Sequence, residues 1–163
     1  MIWTSIAVSL MCIGPVAWLF YKGYAMEQKL NNQLKKLEKN NDWNFSQSEI
    51  NNGNRICAID YNNKVIAMVR VVRGEAVVKY ALLLDVIELN YAAGGINEED
   101  EPCELIILTE HGITPFVFYQ PGVDASIKFR ELEQYGKRWF NQAQKVAVKV
   151  NRVSRPAKMT VAV

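Results

Sequence analysis

The side chains in this chain that could do chemistry are few and widely scattered. Its one histidine, His111, lies between Glu110 and Gly112, a triplet that reads as a tight turn. An imidazole there could titrate or ligate a metal, but a zinc site or a nucleophilic triad needs further donors beside it. His111 therefore reads as a hairpin surface residue. Cys57 and Cys103 fall on separate strand-like segments without CxxC spacing. They need not pair in a reducing compartment and could form a bridge in an oxidising one. Asp85 and Glu88 are three positions apart in an extended run, so they face opposite sides and make a poor acid–base pair.

Ligand-binding signatures are equally sparse. Gly94-Gly95 fits neither of the glycine-rich patterns that cradle phosphates. Glu98-Glu99-Asp100-Glu101 lacks the alternating ligands and turn glycine of a calcium loop, and reads as a solvated loop or a docking point for a basic partner. Lys64, Arg70 and Arg73 read as basic residues on a sheet surface, with Arg70 and Arg73 on opposite faces. With each expected constellation missing, a non-enzymatic protein without cofactor or metal is expected.

These residues must be carried by elements that the apolar pattern locates. After a helical run, Trp43–Asn54 is polar and turn-rich, with Asn51-Asn52-Gly53-Asn54 as its turn signal. Arg55–Asp60 and Lys64–Arg73 read as a hairpin through Tyr61-Asn62-Asn63. Gly74 turns the chain into Glu75–Leu84, and Asp85–Tyr91 follows. A second hairpin, Cys103–Thr109 and Ile113–Tyr119, closes at Glu110-His111-Gly112. Past Pro121-Gly122, Asp124 and Ser126 are candidate helix N-caps. Phe129, Leu132, Gly136, Trp139, Ala143, Val146 and Val150 then recur at spacings of three and four, an amphipathic helix.

The N-terminus sets the location. Ile2 to Tyr21 gives twenty residues without a charge, and twenty residues of helix span roughly 30 Å, the thickness of a bilayer's hydrocarbon core. Ile2, Trp3, Ile6, Val8, Leu10, Met11, Ile13, Val16, Trp18, Leu19, Phe20 and Tyr21 are the expected anchor residues. No basic residue precedes Lys22, and the apolar stretch exceeds the ~7–15 residues of a signal peptide. Gly23-Tyr24-Ala25 keeps cleavage as an alternative, but a retained anchor is favoured. Met26–Lys39 follows as a polar helical stalk, with Leu30, Leu34 and Leu37 on one seam that is short for a coiled coil and allows at most weak self-association.

Charge divides along the chain. Residues 22–42 carry five basic and three acidic groups, residues 43–148 ten and fourteen, and residues 149–163 four and none. A nucleic-acid footprint would put the basic charge on the domain, so no nucleic-acid partner is expected. Lys22, Lys29, Lys35, Lys36, Lys39, Arg152, Arg155 and Lys158 are expected to lie at an anionic membrane surface, each attracted by ~1 kcal/mol. The positive-inside rule then places the N-terminus in the periplasm and the domain in the cytoplasm.

The expected fold class is α+β: an anchor (1–22), a stalk (23–42), a β-rich domain (43–150) and a flexible basic tail (151–163). The hairpin CAIDYNNKVIAMVRV, the strand order and the closing helix with Trp139 resemble a bacterial pleckstrin-homology-like domain over Arg55–Val150. That resemblance implies an antiparallel barrel or sheet capped by one C-terminal helix. In layout and size the chain resembles small phage-encoded superinfection exclusion membrane proteins. This resemblance implies a bacterial inner-membrane module that blocks DNA entry by contacting an incoming phage injection protein or a host membrane protein. The alternative is a membrane-tethered scaffold or lipid-surface module that recruits a host protein.

Overall fold

A computed structural model describes the backbone of residues 2–51, 53–93, 101–147 and 152–154, with side chains at residue 15, 17–51, 53–93 and 101–147. The order is helix α1 (Ile2–Asn41), strands β1 (Gln47–Asn51), β2 (Arg55–Asp60), β3 (Val65–Val72), β4 (Glu75–Leu82), β5 (Val86–Ala92), β6 (Cys103–Thr109) and β7 (Gly112–Tyr119), a 3-10 turn (Ser126–Lys128), helix α2 (Phe129–Val146) and strand β8 (Arg152–Ser154). The α+β class expected from the sequence holds.

The strands split into two sheets, ordered β1-β2-β3-β4 and β7-β6-β5-β8. The barrel form of the expectation is therefore not met, and the sheet form is. All pairings are antiparallel except β5 with β8. Arg73 and Gly74 form the two-residue β3–β4 turn, both at positive φ, the geometry that matches strand twist in a tight hairpin.

Strands β2 and β3 are buried almost throughout instead of alternating, because both faces of their sheet are covered. Cys57, Ile59, Ile66 and Met68 point into the main core with the second sheet and α2. Ile56, Ala58, Ala67, Val69 and Val71 point the other way, onto Leu30 and Leu34 of α1. Fully burying one leucine side chain is worth about 1.5–3 kcal/mol. The expected stalk helix is present, but two leucines of its seam dock on the chain's own sheet.

Three local expectations are corrected. The polar stretch Trp43–Asn54 contains strand β1, which pairs with β2 from Gln47↔Ile59 to Asn51↔Arg55. Neither Asp124 nor Ser126 caps α2: the helix starts at Phe129 behind Lys128, which makes no side-chain cap. The tail is not wholly loose, since Arg152–Ser154 pairs in parallel with Glu88–Asn90. Helix α2 buries Phe129, Leu132, Tyr135, Gly136, Trp139, Ala143 and Val146. Val150, placed on the same face by spacing, lies outside the described residues.

Candidate functional site

Helix α1 runs unbroken through Pro15 and divides into two parts by what surrounds it. Leu30 is fully buried on the first sheet, whereas Trp18, Leu19, Phe20, Tyr21 and Tyr24 are between 60% and 76% exposed. Lys22 lies over the Trp18 ring at 5.2 Å. Of the expected anchor residues, Ile2, Trp3, Ile6, Val8, Leu10, Met11, Ile13 and Val16 have side chains outside the described residues. Among the described residues, no helix is long and apolar enough to cross a membrane.

The direction of α1 along the sheet follows from its contacts. Lys29 donates to the carbonyl of Gly74 at the β3–β4 turn. At the other end of the helix, Glu38 accepts from the Phe45 amide at 3.0 Å, and the amide of the preceding residue, Asn44, donates to Asp60 at 2.8 Å. The exposed segment Trp18–Tyr24 of α1 therefore leaves the domain past the sheet end formed by the β1–β2 and β3–β4 turns. Lys22, Lys35, Lys36 and Lys39 are exposed, and Lys29 is exposed around its bond to Gly74. The side chain of Arg152, and Arg155 and Lys158 entirely, lie outside the described residues.

That same sheet end carries a buried charge cluster. Arg55 at the start of β2 and Arg70 near the end of β3 are register partners. Both reach Asp124, in the loop before the 3-10 turn: Arg55 Nη2 donates to Oδ1 at 2.5 Å and Arg70 Nη2 to Oδ2 at 2.8 Å. The three side chains are 0%, 7% and 5% exposed. Asp124 also accepts from the Gln120 amide at 2.9 Å, and Arg70 Nη1 donates to the Gln120 side chain at 3.2 Å. Arg70 is thus a buried ion-pair member, correcting its reading as a sheet-surface residue.

One carboxylate cannot neutralise two guanidiniums, and the cluster keeps a positive excess. Burial, then the charge of Arg55, push the Arg70 pKa down, against the pull of Asp124. Arg55 Nη1 and Arg70 Nε are buried without a hydrogen-bond partner, an uncommon state for such donors. Beside Arg55 opens a cleft of about 140 Å³, lined also by Asn54, Val123, Asp124, Ala125, Lys128 and Leu132. Sequence reasoning missed this cluster. The available signals were an arginine at each end of an apolar hairpin and a single acid after Pro121-Gly122.

Both described cysteines, Tyr91 and Tyr135 are buried. No disulfide joins Cys57 to Cys103. Burial pushes the Cys57 thiol up to about 12, against a smaller opposite pull from Tyr135 and Arg55, so it is no thiolate nucleophile at neutral pH. Burial also raises the Tyr91 and Tyr135 hydroxyls. His111 is exposed at the β6–β7 turn, where its amide donates to Thr109 Oγ1 at 3.2 Å. Of the acidic run, Glu98, Glu99 and Asp100 lie outside the described residues, as do Gly94 and Gly95. Among the described residues, no group of three or more His, Cys, Asp or Glu side chains is arranged to hold a metal.

No protein-family model, curated protein or solved structure matches the chain.

Proposed function

We propose that this chain is a non-catalytic, single-pass inner-membrane protein of a bacterium, with a periplasmic N-terminus and a cytoplasmic α+β interaction module. The observation that carries this reading is the division of α1. Trp18, Leu19, Phe20, Tyr21 and Tyr24 are exposed, and the same helix continues without a break to Leu30 and Leu34, docked on the sheet. Exposed tryptophan and tyrosine followed by lysine is the pattern of a membrane–water interface. The uncharged run from Ile2 to Tyr21 supplies the length.

The partners in this reading are the bilayer and a protein reached from its inner face. The cellular role proposed, from the resemblance in layout, is superinfection exclusion: the module meets an incoming phage injection protein, or the host membrane protein it uses, and stops DNA entry. Three measurements test it. Alkaline carbonate should leave the chain in the membrane pellet, and its release would refute the anchor. A cytoplasmic reporter fused after Val163 should be active, whereas alkaline phosphatase activity there would reverse the topology. Expression in a sensitive host should leave phage adsorption normal and abolish DNA entry; unimpaired infection by a panel of related phages would remove the exclusion role.

A further inference from the structure

We infer that the cleft between Arg55 and Lys128 binds a single phosphate group presented from the membrane side of the domain. Two observations meet there. The first is chemical. Arg55 is fully buried, lines the cleft, and keeps its Nη1 without a partner. Lys128 lines the same cleft from an exposed position. Arg55 and Arg70 share one anion, Asp124, and with Lys128 on the cleft lining three cations and one anion leave two positive charges in excess. A phosphate monoester carries about that charge with opposite sign at neutral pH, and it offers the acceptors that guanidinium and ammonium donors bind. A cleft of about 140 Å³ suits one such group.

The second observation is positional. The cleft opens at the sheet end holding the β1–β2 turn, because Arg55 pairs with Asn51 and Arg70. The Lys29–Gly74 contact puts the departing half of α1 at that end. From Lys29 back to Tyr21 is eight residues, about 12 Å along a helix. Val123, on the cleft lining, and Ile127, in the adjoining 3-10 turn, are 45% and 91% exposed. Apolar side chains beside a cationic cleft suit the headgroup layer of a bilayer. A lipid phosphate as the source rests on the membrane reading above; phosphate binding itself does not.

The test titrates inorganic phosphate, at fixed ionic strength, into the full chain held in zwitterionic micelles, and follows binding by calorimetry. The native chain should bind one phosphate, and Lys128→Glu, an exposed change that leaves the thermal transition in place, should weaken binding at least tenfold. Repeating the titration in phosphatidylcholine nanodiscs, with and without phosphatidic acid, separates the sources. Weaker apparent phosphate binding in the phosphatidic acid discs assigns the site to lipid. Equal binding in both discs assigns it to a free phosphate compound. The inference is overturned if the native chain takes no phosphate in micelles, or if Lys128→Glu binds as well as the native chain. Neither result depends on carbonate extraction, so the cleft and the anchor fail separately.

Discussion

The hydroxyl of Tyr135 donates to the main-chain carbonyl of Glu49 at 2.6 Å and accepts from the Cys57 amide at 3.2 Å. Glu49 and Cys57 are register partners on β1 and β2, so one phenol on α2 enters the ladder between two strands. Replacing it by phenylalanine keeps the ring and orphans a carbonyl and an amide. Tyr135→Phe should cost about 1–3 kcal/mol, read as a lower denaturant midpoint with an unchanged slope. A loss under about 0.5 kcal/mol would mean that water replaces both bonds.

Gly136 makes the opposite demand, for empty space. A Cβ placed there would lie 2.7 Å from Tyr91 Oη and 2.9 Å from Phe118 Cδ2, and Tyr91 is itself bonded to the Glu133 carbonyl at 2.9 Å. In an exposed helix, Gly→Ala would gain about 1 kcal/mol. Here overpacking should reverse the sign, and Gly136→Ala should destabilise by about 1–3 kcal/mol in thermal or chemical unfolding. A stabilised variant would show that α2 can lift away from Tyr91.

Asp60 ties the β2–β3 turn to the chain after α1. It accepts from the Asn62 and Asn63 amides, the Asn63 side chain and the Asn44 amide, at 2.7–2.9 Å. Burial works to raise its pKa, and these bonds outweigh it and hold the carboxyl below the usual range. A depressed folded pKa gives stability that is fully present above the unfolded value of about 4 and is lost as pH falls through the folded one. Unfolding free energy should therefore drop on acidification below about pH 4, and Asp60→Asn should flatten that part of the profile. An identical acid slope in the variant would assign it to other carboxyls.

Leu30 and Leu34 couple α1 to the sheet. Leu30→Ala should cost about 2–5 kcal/mol through the cavity it leaves and expose the β2–β3 face to limited proteolysis. The same substitution at Leu37, only partly buried against this cluster, should cost less. Equal effects at the two sites would indicate that the seam serves another copy of the chain.

Cys57 and Cys103 should resist thiol reagents in the folded chain. Cys57 is buried and its thiol is pushed up to about 12, so alkylation at neutral pH should follow unfolding and speed up with denaturant. Fast labelling without denaturant would place the sheet–helix interface in rapid local opening.

What the sequence disclosed and what it hid follow from the range of the forces. The α2 face was legible because Leu132, Trp139 and Ala143 recur at helical spacing and all turn inward. The two hairpins were legible because Asn62-Asn63 and His111-Gly112 punctuate apolar runs. Strand β1 was not: Gln47, Ser48 and Glu49 have little strand character, and pairing with β2 makes them extended. The docking of Leu30 and Leu34 was concealed as well, because an i, i+4 leucine seam looks the same whether it meets a partner helix or a sheet. The unalternating apolar run Val65–Val69 was the available hint, since a strand without alternation needs cover on both faces. The Arg55–Asp124–Arg70 cluster joins residues up to 69 positions apart, so the two arginines and the lone acid are visible in the sequence but their meeting is not.

An unbroken α1 also fixes an angle. A helix advances about 100° and 1.5 Å per residue, so the azimuth of the aromatic patch around the helix axis is set by the number of residues separating it from Leu30. One residue inserted at Gly23 would turn Trp18 and Phe20 by about 100° about that axis relative to the sheet, leaving every contact in the domain intact. The helix is therefore a rotary coupling, indexing the face of the domain to whatever grips its other end.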